Sequence, residues 1–173
     1  PCRPPFAFRG FGFNDYPSNN APTGGIYVDE VANPVPFATN GLMFDIKRVE
    51  VLRGPQGTLY GRNTTGGAIN YILNKHTSTF HAGGDVQYGR FDSVKVDGYI
   101  SGPITQKLRY RLSGETLQGG AWQHNSDGRS LGDANRGAAR LLLDYDASDS
   151  LKFEFNLHGS RDRSDANGLH LYT

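Results

Sequence analysis

Residues 45–73 read DIKRVEVLRGPQGTLYGRNTTGGAINYIL, and the punctuation of this stretch decides the fold. Two short β runs, Ile46–Leu52 and Ala68–Leu73, flank a connection rich in Gly, Pro, Asn and Thr. In the first run the branched apolar residues Ile46, Val49 and Val51 mix with the charged Lys47, Arg48 and Glu50, which suits a half-buried strand better than a helix. Gly54-Pro55 and Gly57 force a turn, and Gly66-Gly67 permit close backbone approach before the next strand. No nucleophile–base pair and no metal-ligand set lies here, so the stretch reads as a structural signature with a rigid polar loop.

The bulk numbers remove several classes. A net charge of +1 with no Lys/Arg cluster gives no electrostatic case for nucleic acid. Twenty-three glycines and 12% aromatics suit turns and strands rather than helices. No apolar run approaches the roughly 20 residues of a membrane helix, although a β-barrel would escape that criterion. The lone Cys2 excludes an internal disulfide. Pro1-Cys2-Arg3-Pro4-Pro5 lacks a signal peptide's apolar stretch, so the chain is expected to be an internal piece of something longer.

Within the opening stretch, three runs in order carry a family resemblance. They are Arg48-Val49-Glu50-Val51-Leu52-Arg53-Gly54-Pro55-Gln56-Gly57, then Tyr60-Gly61-Arg62-Asn63, then Gly66-Gly67-Ala68-Ile69-Asn70. This pattern resembles the plug signature of TonB-dependent outer-membrane receptors, gated barrels that import scarce nutrients into Gram-negative bacteria. The resemblance implies a partial plug domain over residues 1–76 and active uptake of a nutrient with a ferric siderophore as the default ligand; no cofactor is expected, and with no catalytic constellation in the sequence no enzymatic activity is expected either. It implies residence in the cell outer membrane, in contact with its lipid. It also implies energy from the TonB–ExbB–ExbD complex through an N-terminal box that this sequence does not include. By the same resemblance, Arg9 and Arg53 match two plug arginines that pair with barrel glutamates on later strands. Gly25–Val31 is similar to the family's strand ending in Val-Asp-Gly, but Glu30 replaces the glycine, so this turn is expected to differ in shape.

Around the signature, Phe6, Phe8, Phe11 and Phe13 about Arg9-Gly10 suggest a short strand and an irregular loop, and residues 41–45 suggest a short helical turn. From Thr79 onward the texture changes to alternation. Phe80, Ala82, Gly84, Val86 and Tyr88 share one face, against His81, Gly83, Asp85, Gln87 and Gly89. Further runs follow through Val94–Ile100, Leu108–Leu112, Ala139–Tyr145 and Leu151–Leu157, with Leu142 blurring the polar side of the fourth. Strands of about ten residues suit a tilted membrane-spanning strand. Charges of both signs on the polar face suit a wet lumen, and Tyr or Phe at the ends of the apolar face suits an interfacial girdle. Alternation alone equally describes a soluble antiparallel sheet resting on a core.

The expected fold is therefore mainly β. An α+β plug with a small mixed sheet is followed, over residues 77–173, by the first five or so antiparallel strands of an incomplete transmembrane β-barrel. Plugged outer-membrane transporters need about 22 strands, so five leave two open edges. The alternative is a soluble or surface-exposed β-rich carbohydrate-binding or adhesion module, which would bury the apolar face of residues 79–160 against protein. His76, His81, His124, His158 and His170 share no short spacing, so no metal site is expected. No Ser, His or Asp sits in a nucleophile motif. Tyr16 and Trp122, both in loops, are candidate ligand-contacting residues at an outer mouth.

Overall fold

A computed structural model describes residues 7–8, 11–12, 24–33, 43–60, 64, 66–124 and 130–165. The chain divides into two compact units, Arg3–Asn74 and Lys75–Thr173.

In the first unit, β1 (Ala7–Phe8) and β2 (Phe11–Gly12) form a minimal antiparallel pair, where the sequence suggested one strand and a loop. A separate four-stranded sheet contains β3 (Gly24–Val28), β4 (Val31–Asn33), β5 (Ile46–Arg53) and β6 (Gly67–Leu73), in the order β4-β3-β6-β5. It is mixed, because β3 runs parallel to β6 while its other neighbours are antiparallel. Its core is Ile26, Tyr27, Ala68, Ile69 and Leu73, joined by Phe44. Between β5 and β6 the chain makes one helical turn, α1 (Gly57–Tyr60), which the sequence reading took as plain turn. The helical turn expected over residues 41–45 is not formed by Met43–Asp45, whose backbone is irregular, with Asp45 at φ 56°; Gly41 and Leu42 lie outside the described residues.

The second unit is a five-stranded antiparallel meander. Its strands are β7 (His81–Gly89), β8 (Ser93–Pro103), β9 (Leu108–Gly119), β12 (Ala134–Ser148) and β13 (Leu151–Asp162). The long β9–β12 connection holds a small hairpin of β10 (Gln123–His124) and β11 (Ser130–Leu131), which the sequence did not suggest. Both β12 and β13 also run further than their alternation advertised, β13 reaching Asp162.

Register sorts the side chains into two faces, since alternate residues point to opposite sides. One row runs Leu157, Leu141, Leu112, Ile100, Ala82 across the sheet; the adjacent row runs Asn156, Leu142, Arg111, Ser101, His81 on the other face. On the three inner strands their burial inverts that of a soluble sheet, while the edge strands β7 and β13 are exposed on both faces. On the apolar face Val86, Ile100, Leu112, Tyr145, Phe153, Phe155 and Leu157 are exposed, Val86 by 71%. On the polar face Ser101, Arg111, Ser113 and Arg140 are buried. Leu142, whose place on that face looked anomalous, is 0% exposed. A soluble module would need its apolar face covered, and among the described residues much of that face is exposed.

Candidate functional site

The signature residues meet on one face of the small sheet. Glu50, Asn70 and Tyr27 are register partners across β5, β6 and β3, so their side chains form one row. Asn70 is fully buried, and an amide in that position must find partners for both its donor and its acceptor ends. Its Nδ2 donates to Glu50 Oε2 at 3.3 Å, and its Oδ1 accepts the Glu30 backbone N–H at 3.2 Å. Arg48 Nε donates to the other carboxylate oxygen, Glu50 Oε1, at 2.7 Å. This hydrogen bond from Arg48, supported by Asn70, holds the Glu50 carboxyl below the ordinary glutamate range. The chain Arg48–Glu50–Asn70–Glu30 thereby ties an edge strand, a central strand and a hairpin turn together.

At the far end of the row, the Tyr27 hydroxyl donates to the Tyr60 carbonyl oxygen, and the two rings pack edge to face at 4.6 Å. Burial, and then the neighbouring Tyr60 phenol, push the Tyr27 phenol above its usual value, which keeps it a donor. The glycines close the loop between these residues. Gly54 takes φ 87° and Gly67 φ 146°, backbone that side chains rarely adopt, and Gly54 N donates to Gly66 O at 3.3 Å. Gln56 N donates to Thr64 O at 3.0 Å, and Tyr60 N closes the helical turn onto Gln56 O.

Arg48, Glu50, Gly54, Tyr60, Gly66, Gly67 and Asn70 are thus drawn into one construction, whereas Pro55 and Gly57 serve the turn itself. Arg53, at the end of β5, is exposed and pairs with no carboxylate among the described residues. Arg9, Tyr16, Gly61 and Asn63 lie outside the described residues. Trp122 is half exposed beside Gly132, whose φ of 86° and want of a side chain let the indole lie against the backbone.

Sequence reasoning passed over Asp29, whose Oδ1 accepts the Leu73 N–H at 2.9 Å, and the Tyr27–Tyr60 pair. Asp29 and Glu30 take φ 48° and 68°, so the turn is left-handed at both residues even without a glycine. Such turns favour Asn, Asp or Gly, and Asp29 alone carried that signal.

In the second unit the polar face is laced with charge-assisted contacts. Arg109 donates to Asp146 at 2.6 Å, Lys95 pairs with Glu115 at 3.0 Å, and Arg140 Nε donates to Asn156 at 3.1 Å. The Arg111 guanidinium lies 4.1 Å from the centre of the Tyr99 ring. Apart from Leu142, such a face is polar and suited to water.

A small mixed sheet built on a polar signature, followed by five antiparallel strands with an apolar and a charged face, is the combination found in the plug and wall strands of outer-membrane receptors. Residues 3–68 match the family model of the TonB-dependent Receptor Plug Domain. The pesticin receptor of Yersinia pestis is 38% identical over 87 residues, covering 49% of this chain and 12% of that protein. The crystal structure of the ferric yersiniabactin uptake receptor of Yersinia pestis superposes with a TM-score of 0.58 at 31% identity, covering 81% of this chain and 22% of that one. The ferripyoverdine receptor of the outer membrane of Pseudomonas aeruginosa shares the fold, with a TM-score of 0.69 at 20% identity over 90% of this chain and 20% of that one. Over residues 3–68 the chain is thus similar to the plug domain of TonB-dependent receptors. It spans only 12% of the length of the curated relative described above.

Proposed function

We propose that this chain is the plug and first wall strands of a receptor that takes up a ferric siderophore across a Gram-negative outer membrane. The observation that carries this reading is the inverted polarity of the five-stranded sheet, following directly on a plug signature. The ligand class rests on the relatives, whose names specify yersiniabactin and pyoverdine complexes. Energy would come from the TonB–ExbB–ExbD complex, and the apolar face would meet lipid.

Within this reading Arg53 and Arg9 are plug cations that pair with wall glutamates, holding the plug by polar contacts separable under load. The exposure of Arg53 supports its availability for such a pair. Tyr16 and Trp122 are the proposed ligand-contacting aromatics. Expression of the full-length receptor in a strain lacking its own siderophore receptors tests the function. Radioactive iron delivered as siderophore complex should accumulate only when TonB is present. Accumulation without TonB, or none with any siderophore class, would overturn it. Arg53→Glu in that receptor should loosen the plug and raise passive antibiotic entry; unchanged entry and uptake would remove the arginine from this role.

A further inference from the structure

Where the chain enters the second unit, three consecutive residues each hold a different strand. Lys75 Nζ contacts both carboxylate oxygens of Glu154 on β13, at 2.9 and 3.1 Å. His76 Nε2 lies 2.7 Å from Asp144 Oδ2 on β12. Thr77 donates its backbone N–H to Ser101 Oγ on β8 at 3.0 Å, and its hydroxyl lies 3.1 Å from the same oxygen. Ser101 is wholly buried and donates its own proton to the Tyr110 carbonyl oxygen on β9. Arg109, in register between Asp144 and Pro103, braces the same row by its bond to Asp146.

The geometry is that of a strap laid across strands. From β13 to β8 is three strand spacings, about 14 Å, whereas three extended residues reach about 10 Å, and the Lys and His side chains supply the rest. Immediately before it, Asn74 is fastened to the first unit. Its backbone N–H donates to Asp45 O at 3.0 Å, and its Nδ2 donates to Asp45 Oδ1 at 2.9 Å. Asn74 is thus held within the first unit and Lys75 within the second.

We propose that Lys75–His76–Thr77 is an anchoring strap: displacement of the first unit stops at the Asn74–Lys75 peptide and does not reach β7. This rests on the reading of the first unit as a plug that moves during uptake. The strap residues act as positioning residues and touch no ligand. Their effect is to let the plug be deformed from its amino-terminal side without stripping the first wall strand from its neighbour.

Single-molecule pulling on the full-length receptor in lipid bilayers, with the handle ahead of the plug, tests it. The wild type should yield a final unfolded length ending at Asn74. The variant Lys75→Ala/His76→Ala/Thr77→Val should release residues 75–80 as well, adding about 20 Å at about 3.4 Å per residue. Ser101→Ala, which removes both Thr77 contacts and the bond to the Tyr110 carbonyl but leaves the strap sequence intact, should lower the last rupture force without changing the wild-type end point. Equal final lengths and rupture forces in wild type and triple variant, or wild-type release running through to residue 80, would overturn the strap. A wild-type receptor that takes up no siderophore while wild type and triple variant differ in final length as predicted would count against the functional reading and leave the strap standing.

Discussion

Asn70 carries an amide at a central strand position where a branched apolar side chain is the ordinary occupant. Its role is to bridge, since it gives a hydrogen to Glu50 and takes one from the Glu30 backbone. Asn70→Ala should therefore remove two hydrogen bonds and leave the Glu30 N–H and the Glu50 carboxylate to water, costing about 0.5–1.5 kcal/mol of local opening free energy for each bond. Hydrogen exchange of the β6 amides in the full-length receptor measures this, and unchanged protection would remove the amide from its bridging role. Glu30→Gly should act oppositely. It keeps the N–H donated to Asn70 and relieves a left-handed side-chain conformation worth about 1 kcal/mol, so exchange in β3 and β4 should slow. Glu50 sets the pH dependence of the same cluster. Its carboxyl is depressed in the folded state, so its contribution is complete above the ordinary glutamate value and drains away as pH falls through the depressed one. Protection of β6 should accordingly fall as pH drops below the ordinary glutamate range, and Glu50→Gln should flatten the change. At this scale the sequence was partly readable. The glycines at 54 and 67 advertised their backbone, because few other residues tolerate it. The Arg48–Glu50–Asn70 bridge was named residue by residue but not as a bridge, because partners twenty residues apart meet only once strand register is set.

Among elements, the five long strands were legible because side chains alternate with period two and each run is broken by turn residues. Their ends were less so. β12 begins at Ala134 and β13 ends at Asp162, in stretches where Gly, Arg and Asn blur the alternation but register with neighbours continues. Leu142 shows the limit of polarity as a guide. It sits on the charged face and is buried there, so one apolar residue on that side is no register fault. The Lys75–Thr77 strap escaped notice for a related reason: three ordinary polar residues acquire meaning only when Glu154, Asp144 and Ser101 are brought under them. The two faces predict opposite tolerances. Leu112→Arg, on the exposed apolar face, should cost about 2–4 kcal/mol near the bilayer midplane and reduce the yield of inserted full-length receptor. His158→Lys, an already polar position on the opposite face, should leave the yield close to wild type. Heat-modifiable gel mobility of outer-membrane fractions reads both, and equal losses would mean that the faces do not differ in their surroundings.

For the molecule as a whole, everything turns on which solvent each face of the large sheet meets. The small sheet could belong to many α+β folds, and only its signature marks it as a plug. The wall is different, because on its inner strands exposed Ile100 and Leu112 alternate with buried Ser101 and Arg111, which under the proposed receptor reading puts lipid on one side and a polar lumen on the other. Neighbouring residues of one strand, Leu141 and Leu142, separate the two surroundings with nearly identical chemistry, since both are leucines and only their facing differs. The decisive measurement places a single environment-sensitive fluorophore at Leu141 or at Leu142 of the full-length receptor in bilayers containing a lipid-borne quencher. Strong quenching at 141 with little at 142 is the predicted result. Equal quenching at both positions, or quenching at 142 alone, would contradict a sheet that faces lipid with its apolar side.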